Sequence, residues 1–376
     1  MDMKIAGRWA PVAGAIALTF ALAMPGGEIV AQAKKKEPKT EEQLKAAVEK
    51  AIRHSKETEA FFFAAEPLPV TLTTNVKRIR GDKGDKAPWR PARISFTDAS
   101  GKVVSLPTEL RTRGIWRLKN CEFPPLRVNF KADSAKGTMF QGLDKPKLVN
   151  YCRNTDDYEQ FIIQELQLYR IYNLLTPFGY RARLLQVTYT DSASGKVIAR
   201  RAAILLEEPE MLAARMGGPR VEDKGAKASD LEPYHDALIG IFQYFIGNTD
   251  FSIAGLHNVE LVSQPAGDII PIPYDFDFSG VINAPYATVD PKLSVQRVRD
   301  RLFRGYCVEP EAWAKAIAKF NEQKDAVYGL YRDSIGKLIK QKTVEETLKY
   351  YDDFFRIVND SRRAKREIAE ACVKTS

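Results

Sequence analysis

The sequence predicts an α+β fold with a β-rich N-terminal lobe and a mainly helical C-terminal lobe. Three observations point there. From about Leu68 to Tyr151 the chain consists of short runs rich in β-branched and apolar residues, with turn sequences such as DASGK between several of them. The segment Asp156 to Leu175 changes period, with apolar residues at spacings of three and four. From about Pro291 onward the sequence is charged and helical in pattern. Strands first and helices later make an α+β arrangement.

The elements come in order. Residues 34–66 hold a charged linker (AKKKEPKTEE) and an N-terminal helix in which Leu44, Ala47, Val48, Ala51 and Ile52 recur at helical spacing behind a Thr40/Gln43 capping box. Residues 67–207 form the β-rich lobe. Its strands are LPVTLTTNV, ARISFTD, VVSLPTELRTR, PPLRVNF and KLVNY, followed by the Asp156–Leu175 helix, which Thr176-Pro177 ends. RARLLQVTYTD and KVIARRAAILLEE, joined by SASG, read as an antiparallel hairpin. Residues 208–376 form the helical lobe. It opens with a short helix (Glu210–Met216), a flexible loop (GGPRVEDKGAKAS) and a buried helix (PYHDALIGIFQYFI), and two polar loops come next, joined by the hairpin VELVSQPAGDIIPI.

Ahead of these elements, Lys4 and Arg8 precede an apolar run from Ala10 to about Met24, and Ala31-Gln32-Ala33 offers a small-x-small cleavage site. That is the pattern of a secretory signal peptide over residues 1–33. The run is shorter than the about 20 residues a membrane span needs. The mature chain is therefore expected to be exported, periplasmic or secreted, without a transmembrane segment. The chain carries a formal charge of +9, which signal removal leaves unchanged because Lys4 and Arg8 depart with Asp2 and Glu28. A basic surface favours anionic partners. The charge is scattered rather than gathered on an aromatic-rich sheet, so nucleic acid is not the expected partner. SRRAKRE near the C-terminus reads as a solvated helix face.

Export also permits disulfides. Cys121 and Cys152 border strands of the first half, whereas Cys307 and Cys372 lie in the helical half, and the expected bridges pair them accordingly. No CxxC motif occurs, and only His54, His235 and His257 accompany the cysteines, which argues against a zinc site.

The residues with chemical potential lie at the ends of apolar runs. FIGNTDFSIAGLHNVEL and IIPIPYDFDFSG place Asp250, Asn258, Asp275 and Asp277 on two loops after buried segments. Magnesium takes a few hard oxygen ligands and completes its shell with phosphate and water. Asn258 and Asp275 suit that role, with Asp277 as a further carboxylate, and Asp250 suits a proton acceptor or an orienting group for an attacking hydroxyl. Upstream, Glu165 shares the helical stripe of Tyr158, Phe161, Ile162, Leu166, Tyr169 and Tyr172. A carboxylate in such a stripe either reaches water at its margin or meets a cation. Arg127, Lys131 and Lys147 on the neighbouring strands are the candidate cations. Each motif also has a plainer reading: Gly-Asn-Thr-Asp is a ready turn. D-F-D alone also suits a metal-dependent nucleotide-sugar transferase or an aspartyl phosphatase, although such phosphatases carry it after the first strand of a doubly wound sheet rather than late in the chain.

The combination resembles the kinase-like CotH spore-coat proteins and, more distantly, the HipA-type toxin kinases, whose GNxDxHxxN and PxYD motifs match GNTDFSIAGLHN and PIPYDFD in order and separation. LRTRGIWRLKNCEFPPLRVNFK and KLVNYCRNTDDYEQFIIQEL resemble further CotH segments, so the likeness runs from about Glu109 to Gly280. It implies a two-lobed protein-kinase-like fold, ATP with Mg2+ or Mn2+, and phosphoryl transfer to a protein or other anionic acceptor. By position it makes Asp250 the catalytic aspartate, Asn258 a metal ligand, Asp275 the counterpart of the DFG aspartate and Glu165 the partner of the phosphate-holding base. That base falls at Arg127, with Lys131 and Lys147 as rivals. The sequence departs from the pattern in three places. The gap from Asp250 to Asn258 is longer than in the D-L-x-x-x-N loop of protein kinases. Ile115 and Trp116 stand where CotH proteins have Ser or Thr after Arg-Gly. No Gly-rich phosphate loop is present, which leaves Arg113 and Gly114 to cover the phosphates. Loss of the usual lysine points to the alternative of a catalytically inactive binding or scaffold protein.

Overall fold

The computed structural model describes residues 40–83 and 87–375. The expected signal peptide, residues 1–33, and most of the linker lie outside the described residues. The chain from Glu42 to Ser376 forms one compact unit, and helix α1 (Glu41–Glu57) opens it.

Seven strands form the first half: β1 (Leu68–Thr74), β2 (Arg90–Thr97), β3 (Val103–Thr112), β4 (Leu126–Phe130), β5 (Lys147–Val149), β6 (Ala182–Asp191) and β7 (Val197–Leu206). They close into a barrel in the order β1-β2-β3-β4-β5-β7-β6. All pairs are antiparallel except β1 with β6, which run parallel from Leu68↔Leu185 to Thr74↔Asp191. This closure corrects the expected two-lobed kinase-like fold, whose first lobe is an open sheet. The free edge of β1 takes β6 as a partner, and no exposed edge is left in the ring. The closure is fastened at its end, where the Ser192 amide donates to the Thr74 carbonyl at 2.9 Å and the Val76 amide to the Asp191 carboxylate at 3.1 Å. Alternation then sorts the side chains. Leu110, Val128, Leu148 and Val187 are buried in the barrel core with Phe123, Phe130, Phe140 and Tyr151. Their strand neighbours Arg111, Arg127 and Lys147 occupy the alternate, outer positions.

Helix α2 (Trp116–Asn120) bridges β3 and β4, and α3 (Asp156–Leu175) comes after β5. Then come α4 (Pro209–Met216), α5 (Pro233–Ile246), α6 (Pro310–Gly329) and α7 (Gln341–Val358). A small antiparallel sheet holds β9 (Val259–Ser263) between β10 (Ile269–Pro273) and β8 (Arg220–Val221). β8 lies inside the segment expected to be a flexible loop. Gly218 permits it, because a Cβ there would stand 1.6 Å from the Ser263 carbonyl oxygen. The helical core gathers Leu166, Phe242, Phe245, Phe276, Phe320 and Tyr351.

Residues 281–309 are irregular rather than helical, and helix resumes only at Pro310. Arg301 holds this strap. Its guanidinium donates to the carbonyls of Tyr244 (3.1 Å), Phe245 (3.2 Å) and Tyr350 (2.6 Å) and lies 3.6 Å from the centre of the Tyr350 ring. Disulfides join Cys121 to Cys152 and Cys307 to Cys372, the pairing expected from their positions. No helix among the described residues is long and apolar enough to cross a membrane.

Candidate active site

The two polar loops are built by the ends of α5 and of the β9–β10 hairpin. α5 stops at Gly247, which has φ +66°, and a Cβ there would meet the Tyr350 hydroxyl at 1.9 Å, so only glycine fits. The Asn248 amide closes the last turn on the Gln243 carbonyl at 2.8 Å. The Asn248 side-chain oxygen accepts from the Asp250 amide at 3.0 Å, a turn that fixes where Asp250 emerges. Arg304 donates to the carbonyls of Thr249 and Phe251 and pins the loop from behind. On the hairpin side, the register Pro273↔Val259 sets Tyr274 beside Asn258, and the Tyr274 amide donates to the Asn258 carbonyl at 3.0 Å. The Gly280 and Val281 amides donate to the carbonyls of Gly247 (2.9 Å) and Ile246 (3.0 Å), lashing the second loop to the first.

An outer cluster results. The Asp250 carboxylate is held on both sides. One oxygen meets His257 Nε2 at 2.8 Å, and the other accepts from Asn258 Nδ2 at 3.1 Å. The same Asn258 nitrogen donates to the Asp250 carbonyl at 2.7 Å, which leaves the amide oxygen as the atom Asn258 offers to a ligand. Donation from the His257 ring to the Asp250 carboxylate raises the pKa of His257, against the opposing effect of burial. Leu256, Asn258 and Asp275 have φ of 51°, 54° and 63°. Non-glycine residues seldom occupy that region, at a cost on the order of 1–3 kcal/mol each, and such positions cluster at functional sites. Asp275 is anchored by its own amide, which donates to the Tyr169 hydroxyl at 3.0 Å.

An inner cluster lies behind it. Glu165 is 0% exposed and its carboxylate has no side-chain hydrogen-bond partner; Asp277 is 5% exposed with Oδ2 unpartnered. Burial raises the Glu165 pKa well above the usual carboxylate range, and the charges of Asp277 and Asp275 add to the effect. Burial, then Asp275, pushes Asp277 up to about 7, with Arg117 and Tyr286 working the other way. The cation facing these carboxylates is Arg117 of α2. Burial disfavours its charge, but Tyr286, Asp277, Glu165 and Asp275 outweigh that and raise its pKa. Arg117 also donates to the Asn150 carbonyl, and the Cys121–Cys152 bridge fastens the end of its helix.

Of the strand cations, Lys147 comes nearest the loops. It is 9% exposed, with its ammonium 4.2 Å from the centre of the Tyr274 ring, next to Asp275 rather than Glu165. Burial, followed by Arg113, lowers its pKa to about 7. Arg127 stands opposite Lys147 on the neighbouring strand, and burial and Arg113 lower its pKa. Lys131 is remote from the loops and pairs with Glu109 at 3.7 Å. Gly114 turns the chain after β3 with φ +85°, and Arg113 beside it acts on Lys147 and Arg127. The structure thus brings Asp250, Asn258, Asp275, Asp277, Glu165, Arg113 and Lys147 into one neighbourhood, while Lys131 stands outside it. Sequence reasoning passed over Arg117, His257 as the partner of Asp250, and the anchoring role of Tyr169. The histidine directly before Asn258 was the available signal, since the antiparallel bridge Ser252↔His257 returns the chain to Asp250.

A cavity of about 340 Å³ adjoins the end of the second loop, lined by Tyr158, Phe161, Gln164, Ile282 and Asn283 among others. Among the described residues no set of three or more His, Cys, Asp or Glu side chains is arranged to hold a metal. No protein-family model matches the chain, and no curated protein matches it.

Proposed function

We propose that the chain is an exported phosphotransferase that moves the terminal phosphoryl group of ATP to a hydroxyl of a protein or other acceptor, with Mg2+ or Mn2+ as cofactor. One observation carries the reading. Asp250, Asn258 and Asp275 stand on two loops, joined by one hairpin, that are hydrogen-bonded to each other, with Asp250 gripped from both sides.

The residues fit a divalent cation of the magnesium type. The Asn258 oxygen and the Asp275 carboxylate are hard donors, too few to form a cage alone, which suits an ion that shares its shell with phosphate and water. When bound, the metal neutralises charge on the transferring phosphates. Lys147 lies where donor phosphates would meet Asp275, and a phosphate beside it favours its ammonium form against the burial that now lowers its pKa. Asp250 orients the acceptor hydroxyl and takes its proton as the new P–O bond forms and the bond to the leaving diphosphate breaks. His257 and Asn258 keep Asp250 in one rotamer. Arg117 balances Glu165 and Asp277, so that Asp275 faces the ligand without two uncompensated carboxyl groups behind it.

Export rests on the sequence reading and agrees with the two disulfides. The test is transfer of labelled terminal phosphate from ATP to acidic test proteins or to the chain itself. Incorporation that needs metal and is lost in Asp250→Asn supports the reading; incorporation unchanged in Asp250→Asn contradicts it. A non-catalytic nucleotide-binding module is the second reading, favoured by one feature: a lysine at the site whose pKa burial lowers to about 7. Binding of ATP without incorporation into any acceptor selects it.

A further inference from the structure

The outer wall of the barrel carries a charge arrangement that the transfer chemistry leaves unexplained. In the registers of β3, β4 and β5, Arg111 stands opposite Arg127, and Arg127 opposite Lys147. The β2–β3 register, Arg90↔Leu110, brings Trp89 next to Arg111, whose guanidinium lies 5.4 Å from the indole centre. At the other end the Lys147 ammonium sits over Tyr274, the residue before Asp275. Three cations thus form a row one strand apart, about 14 Å from Trp89 to Lys147 at ordinary strand spacing, with an aromatic ring at each end. Arg113 acts on the row at Arg127 and Lys147.

Like charges directly opposite on neighbouring strands oppose pairing. Among the described residues none of Arg111, Arg113, Arg127 or Lys147 makes an ion pair, whereas other arginines of this chain do. Asp275 acts on Lys147 without pairing with it, and the other nearby carboxylates are committed elsewhere. Glu210 and Glu260 bind Arg220 at 3.1 Å and 2.8 Å, and Glu208 accepts the Asp144 amide at 2.9 Å. A single buried cation would be an accident of packing. A register-aligned row without a single ion pair, one member nine-tenths buried, favours an anion.

We propose that the row Arg111–Arg127–Lys147, with Arg113 beside it, binds a linear oligophosphate chain that starts at the Tyr274–Asp275 loop and runs outward across β5, β4 and β3 to Trp89. Guanidinium forks suit phosphate oxygens, and successive strands set successive forks along the chain. The inference deepens the proposed reading by extending its donor side, yet it requires neither Asp250 nor a metal. The phosphates could belong to a nucleotide or to inorganic polyphosphate, and the test separates them.

Titration calorimetry on the full chain in EDTA, with inorganic tripolyphosphate as probe, tests the row directly. The expected result is binding that weakens steeply with salt, falls about tenfold or more in Arg127→Gln and further in Arg111→Gln/Arg127→Gln, and is unchanged in Lys131→Gln. Because Arg127→Gln removes a like-charge contact, its ligand-free melting temperature should not fall, so lost binding is not lost folding. Absence of binding, or equal affinity in the wild type and the Arg127→Gln variant, overturns the inference. ATP with magnesium runs in parallel. If ATP binds and also weakens in Arg127→Gln, the phosphates are those of a nucleotide. If tripolyphosphate alone responds, the row serves inorganic polyphosphate and the ATP reading of the active site fails separately. If ATP binds and Arg127→Gln leaves both ligands unaffected, the row is not a subsite and the phosphotransferase reading stands.

Discussion

The outer and inner clusters of the candidate site are built from the same residue types and treated in opposite ways. Around Asp250 and Asn258 the polar atoms are satisfied by neighbours, the Asp250 and His257 side chains are partly exposed, and the cost is carried by the backbone at Leu256, Asn258 and Asp275. Around Glu165 and Asp277 the cost is carried by unpartnered buried oxygens set against one arginine. The first pattern holds groups ready at a surface where a ligand arrives. The second creates an electrostatic environment behind them, one that a change of protonation alters. The difference separates a residue's role in chemistry from its role in tuning, and it can be attacked from either side.

The largest expected effect is on the outer side. Asp250→Ala should reduce phosphoryl transfer by roughly a thousandfold, within the range for losing a positioned acid–base group, while leaving the melting temperature nearly unchanged. Incorporation assays beside thermal melts check both halves. Next in size is the covalent support of the inner side. Replacing Cys121 and Cys152 together by serine opens a loop with a sequence separation of 31 residues, and chain-entropy reasoning puts the loss at about 3–4 kcal/mol in denaturant unfolding. Loss confined to under about 1 kcal/mol would mean that Arg117 is held without the bridge.

The pH dependence of stability tracks the inner cluster and Lys147, with a sign set by the folded and unfolded values. Asp277 keeps its proton up to about 7 in the folded chain but only to about 3.8 unfolded. Between those values the native state binds the extra proton, so stability falls as pH rises. Asp236, buried and also pushed up to about 7, adds to the same limb. Lys147 reverses the sign: between about 7 and 10.5 the unfolded chain holds the proton that the native state has lost, so stability rises with pH. Glu165, raised well above the usual carboxylate range, extends the falling limb and opposes Lys147, so the assignments are read from variants rather than from the position of a minimum. Asp277→Asn should flatten the fall in stability between about 3.8 and about 7, and Lys147→Met should remove the rise that Lys147 contributes above about 7; a melting profile unchanged in either variant contradicts that assignment. The smallest effect concerns backbone strain. Leu256→Gly relieves a left-handed leucine and should change stability by only about 1 kcal/mol in either direction, since glycine also loosens the unfolded chain.

How much of this was legible depended on the range of the interaction. The helix Asp156–Leu175 and the two loops were readable because period, caps and turn residues are local signals, and the bounds of that helix agree with the sequence reading. Barrel closure was not, because nothing in the alternation of LPVTLTTNV reveals that β1 runs parallel to β6, a partner more than a hundred positions away. The partner of Glu165 was hidden for a related reason. Arg117 lies on a five-residue helix between strands, where no periodicity announces an inward side chain, whereas the lysines and arginines on regular strands drew attention. Lys147 shows the limit from the other direction: a strand position was readable, but which carboxylate it faces depended on where the β9–β10 hairpin folds back.

The most direct test of the central claim, that Asn258 and Asp275 serve one metal–nucleotide site, is the melting temperature with ATP and manganese compared in wild type and Asp275→Ala. A ligand at about 100 times its dissociation constant adds roughly 2.7 kcal/mol, so the expected result is a clear upward shift in the wild type that needs both ATP and metal and vanishes in Asp275→Ala. A wild-type melting temperature indifferent to ATP with metal, or a shift that survives in Asp275→Ala, contradicts it.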